Sequence, residues 1–143
     1  SCRIGAQAVE AEPDHVAAVA AFGTRCGMAF QIGDDVLDVV ADTTALGKPA
    51  GHDLQEGVFT LPTILTLQDH PELKAALDGQ APGPDLVAEV LDAMRECDAV
   101  ARARAIAVEF ADDAAAELAG LPPSPQRDGL ASLARWYVDA ALA

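Results

Sequence analysis

Between Gln31 and Asp38 the sequence reads QIGDDVLD, which sets three aspartates in a segment that is otherwise almost wholly apolar. Arg25 is the only other formal charge from Val16 to Ala41. On a helix, Gln31, Asp34 and Asp38 share one stripe, because positions three and four apart fall on the same face. Phe30, Gly33, Leu37 and Val40 flank that stripe on one side, and Ile32, Val36 and Val39 on the other. Carboxylates walled in this way are expected to face a cavity. On a solvated helix, like charges four apart cost only about 0.2–0.5 kcal/mol. Held roughly 6 Å apart at an effective dielectric near ~20, they repel by ~3 kcal/mol. A partly buried site then needs a positive partner or a raised pKa. Lys48 is the only lysine or arginine between Arg25 and Lys74. A divalent cation is therefore the economical partner for these acids.

A second constellation follows: GKPAGHDLQEGVFTLP, from Gly47 to Pro62. Glycines let backbone approach phosphate oxygens, and Lys48 offers a mobile positive charge. A loop of this kind beside an acidic helix end can close over a diphosphate. It lacks the spacing of a P-loop, and alone it reads equally well as a plain surface loop.

These segments must be held by helices. The chain has 143 residues, half of them hydrophobic, with few aromatics and many alanines. That length suits one domain, and that composition favours helix over sheet. Glu12-Pro13-Asp14 is a helix-start signal, so the spacing predicts a long helix from about Asp14 to Ala41. Residues 1–9 read as the end of another helix. Asp42 to Phe59 reads as a loop, interrupted by Gly47, Pro49, Gly51 and Gly57. Short helices are expected from Thr60 to about Gln68 and from Glu72 to Leu77. A connection over 78–84 leads to three more helices near 85–97, 98–119 and 124–142. No strand pattern or repeat is present, and the fold class is all-α, a helical bundle. Gly23, Gly27 and Gly33 each cost about 1 kcal/mol of helix propensity relative to alanine. Close helix packing is the favoured reason, and a slot for a ligand chain is the alternative.

The net charge of −14 argues against nucleic acid and anionic membrane as partners. Cys2, Cys26 and Cys97 are scattered, odd in number and without CxxC spacing, which fits reduced cytoplasmic thiols. The apolar run through Arg25 reads as a core helix rather than a membrane span. No leader segment is evident. His15, His52 and His70 have no paired ligand spacing. Arg102 and Arg104 read as solvated charges near Asp98 and Glu109, and Asp112-Asp113 as a solvated helix face. Trp136-Tyr137 is expected to pack on the bundle or on a partner subunit.

Taken together, FQIGDDVLD and GKPAGHDLQEGVFTLP resemble the second half of the trans-isoprenyl (polyprenyl) diphosphate synthases. The specific part of the resemblance covers about residues 30–62. It implies an isoprenoid-synthase-type fold in which two facing aspartate-rich motifs hold three Mg²⁺ ions on the diphosphate of an allylic substrate. Residue by residue, it makes Asp34 a direct metal ligand, with Asp35 and Asp38 in support through bound water. Gln31 would contact the metal-bound diphosphate end of the site, Lys48 the allylic diphosphate, and Asp53 the lysine loop or a metal-bound water. Mg²⁺ suits such a set, because it keeps waters and takes one or two carboxylates with substrate phosphate oxygens. The implied reaction ionises an allylic prenyl diphosphate, whose cation is attacked by the double bond of isopentenyl diphosphate before a proton is lost.

The sequence departs from that family pattern in three places. Val58 stands where many members have lysine. No first aspartate-rich motif occurs anywhere in these residues, and the lysine-threonine pair expected before SCRIGA would lie ahead of Ser1. Residues 1–143 are therefore expected to be the C-terminal portion of a single synthase domain, inactive alone and homodimeric when full length. Two alternatives are a non-catalytic helical subunit of a heteromeric prenyl diphosphate synthase and a terpene cyclase. Intact Asp34, Asp38 and Lys48 disfavour the first, and the DDVLD plus GK…TLP combination disfavours the second.

Overall fold

The computed structural model describes residues 1–40, 50–77 and 82–141. Among these residues there are eight helices and no strand. They are α1 (Cys2–Ala8), α2 (Pro13–Val40), α3 (His52–Gln55), α4 (Leu61–Asp69), α5 (Pro71–Ala76), α6 (Pro84–Glu96), α7 (Ala99–Glu117) and α8 (Pro125–Ala141). Proline occupies a first-turn position in α2, α4, α5, α6 and α8, where its missing N–H costs no helical bond. Ser124 caps α8, its Oγ accepting the N–H of Arg127 at 3.1 Å. Inside the stretch expected to be loop, the structure forms the single turn α3. Gly51 starts it in the left-handed region at φ 74°, a conformation in which a Cβ is strained.

The chain divides into two compact units, Ser1–Gly33 with Ile106–Ala143, and Asp34–Ala105. In the first, α2 buries Phe22, Ala29 and Ile32, α7 buries Ala107, Ala111 and Ala114, Leu118 is buried just after it, and α8 buries Ala134 and Val138. Arg25 joins α2 to α7 through Asp113 at 3.0 Å and Glu117 at 2.7 Å. Asp112 on the same helix meets Arg135 at 2.9 Å. The face expected to be merely solvated is thus tied by arginines. Tyr137 stacks on Phe30 with ring centroids 4.3 Å apart, while its neighbour Trp136 is exposed. The packing expected of the pair belongs to the tyrosine.

In the second unit, Leu54, Leu67, Leu73, Leu77, Val87, Val90 and Leu91 form one apolar cluster. The apolar positions of α6 recur at three- and four-residue spacing, so one face of the helix meets α3 and α4. Arg102 is not a simple solvated charge. It pairs with Asp98 at 2.9 Å and also reaches Asp69 and the Leu65 carbonyl, tying α7 to α4.

Helix α2 is long and apolar enough to cross a bilayer by length and composition alone.

Candidate active site

The acids sit on the last two turns of α2 described by the structure, and their environments differ. Asp34 is exposed and Asp38 half-buried, one turn apart on one stripe, with exposed Gln31 a turn earlier. Asp35 is only 8% exposed, on the side of the helix that buries Ile32 and Val36. One expected wall is therefore present. The other is incomplete, since Phe30 and Val40 are 48% and 44% exposed.

The chain returns to Asp38 through Gly51. The N–H of Gly51 donates to the Asp38 carbonyl at 3.0 Å, and the N–H of Asp53 donates to Asp38 Oδ2 in a long bond of 3.4 Å. Residues fifteen apart in sequence are thereby joined, and the structure brings Asp53 to Asp38. A Cβ on Gly51 would lie 3.0–3.1 Å from the methyl carbons of Leu91, so the turn is seated directly on the core of its unit. Sequence reasoning missed this role of Gly51; the only local signal was the glycine itself. Lys48 falls outside the described residues.

Burial is the main cause of a raised Asp38 pKa. The Asp53 amide opposes it, the Asp53 carboxylate adds to it, and nearby His52 opposes it. The ionised form of Asp38 is thus disfavoured by desolvation, which a bound cation would offset. Among the described residues, no three His, Cys, Asp or Glu side chains are gathered as a closed metal cage. An open set of oxygen donors on one helix edge fits a hard cation that keeps waters and takes other ligands from phosphate.

Comparisons with known proteins identify the fold and the family. The chain matches solved prenyl synthase structures over almost its entire length. Heptaprenyl diphosphate synthase from Staphylococcus aureus superposes with a TM-score of 0.87 at 28% identity, over 96% of this chain and 44% of that one. Geranylgeranyl pyrophosphate synthase from Corynebacterium glutamicum, complexed with calcium and isoprenyl diphosphate, gives 0.81 at 34%, over 97% and 44%. The fold is therefore all-α and of the prenyl synthase type. The Polyprenyl synthetase family profile matches residues 1–94, and the chain belongs to that family. Heptaprenyl diphosphate synthase component 2 of Geobacillus stearothermophilus is 40% identical over 94% of this chain and 42% of its own length. The chain thus spans less than half the length of the relatives it matches.

Proposed function

We propose that this chain supplies the second metal-binding half of a prenyltransferase site, which condenses isopentenyl diphosphate with an allylic prenyl diphosphate. The reading is carried by one observation: Asp34 and Asp38 share a stripe at the end of α2, with the Gly51–Asp53 turn fastened to Asp38. Asp34, reachable from solvent, would hold one Mg²⁺ directly, with Asp38 and Asp35 orienting its waters. When bound, that ion would neutralise the departing diphosphate and so lower the barrier to breaking the allylic carbon–oxygen bond. Asp53 holds the returning turn against Asp38, Gln31 lies one turn away for the diphosphate end, and Lys48 would contact the allylic diphosphate. Apolar surroundings would keep water from the developing cation.

The other half of the site would come from residues like those that the longer relatives carry, in a homodimer once complete. The 143 residues alone are then expected to show no turnover with Mg²⁺, an allylic diphosphate and labelled isopentenyl diphosphate. Appreciable product formation by the isolated chain would overturn that part of the reading. A second reading, a helical subunit that serves a heteromeric synthase without catalysing, draws support from the name of the relative called a component. It predicts unchanged activity of the assembled enzyme when Asp34 and Asp38 are both made asparagine, whereas the first predicts loss.

A further inference from the structure

Two thiols with no place in this chemistry lie where Cys2, at the start of α1, touches α2. A Cβ at Gly23 would stand 2.7 Å from Cys2 Sγ and 2.8 Å from Cys2 Cβ, so the Cys2 side chain lies directly on the α2 backbone. This close approach accounts for glycine at 23, whereas Gly27 faces open space. Cys26 is three residues beyond Gly23, on the same face of the helix. Both cysteines are free and half-buried. Cys2 also borders an open groove of about 630 Å³, walled further by Ala20, Ala21 and Thr24 and wide enough to admit a small reagent. Burial, and after it the charge of nearby Cys2, raises the pKa of the Cys26 thiol.

From this placement we infer that Cys2 and Cys26 form a reversible disulfide that fastens α1 to α2 when a low-molecular-weight disulfide is present. Cys2, on the groove, attacks first as thiolate. One sulfur of the reagent bonds to Cys2, the reagent's S–S bond breaks, and the first thiolate leaves to take up a proton. Cys26 then gives its proton to solvent and attacks the Cys2 sulfur, expelling the second reagent thiolate. Two protein thiols are oxidised and one reagent disulfide is reduced to two thiols. Cys2 lines the groove and Cys26 does not, so Cys26 resolves rather than initiates.

Trypsin cleaves after Arg3, Arg25 and Arg95, which puts the three cysteines on separate peptides. The full chain is incubated with glutathione disulfide and glutathione at graded ratios, alkylated, digested and mapped by mass. The expected result is loss of two of the three thiols, with the Cys2 and Cys26 peptides joined within one chain, Cys97 alkylated, and full recovery in dithiothreitol. Cys26→Ser should stop at a glutathione adduct on Cys2. The proposal is overturned if Cys2 and Cys26 stay alkylated under oxidising ratios, if each carries its own glutathione, or if the link joins two chains. Wild-type mapping decides the matter even if the variant does not fold.

Discussion

Acidic side chains are handled differently in two regions of this molecule. On α7, Asp112, Asp113 and Glu117 each meet an arginine, from α8 or from α2. At the end of α2, Asp38 instead receives backbone N–H groups and stands near a second acid, Asp53. The first arrangement joins helices at little electrostatic cost. The second leaves a carboxylate partly desolvated, as the proposed cation site would require. Comparing them separates acids that hold the fold from acids that, in the proposed site, would take part in ligand binding.

The largest effect should come from Asp34→Asn with Asp38→Asn. Calorimetry on the complete enzyme should show a loss of about 100-fold in Mg²⁺-dependent diphosphate affinity. Asp112→Asn with Asp113→Asn should leave that affinity unchanged, and an equal loss in both pairs would erase the distinction. Next, Gly51→Ala should cost about 1–2 kcal/mol in urea unfolding, since it combines a positive φ with contact on Leu91. Arg25→Met, which removes both partly exposed pairs to α7, should cost about 1 kcal/mol, and the difference should shrink in high salt.

The smallest effect has the opposite sign. Burial raises the Asp38 pKa in the folded state, so its ionisation disfavours folding at neutral pH and protonation relieves the penalty. Asp38→Asn should therefore stabilise the ligand-free protein at pH ~7 by roughly 0.5 kcal/mol or less. That gain should vanish as the pH falls below the carboxylate range, as melting temperature against pH would reveal. A gain that persists in acid would mean that Asp38 acts through packing.

Much of the fold was legible because its signals are local. Prolines at first turns place helix starts within a residue or so, and the recurrence of Leu86, Val90 and Leu91 points to the α6 face, which the structure completes with Val87 and Met94. The stripe of Gln31, Asp34 and Asp38 follows from helical geometry alone. What stayed hidden depends on distant partners. Arg102 reaching Asp69, Tyr137 stacking on Phe30 and Asp53 returning to Asp38 leave no periodicity to read. The single turn α3 is too short to show one.

Because Gly51 is wedged against Leu91, a residue with no chemistry of its own sets the height at which the returning turn meets the acids. A bulkier side chain at 91 would jack that turn away from Asp38. Evolution can therefore retune this corner of the protein from inside its oil, without ever touching a charged group.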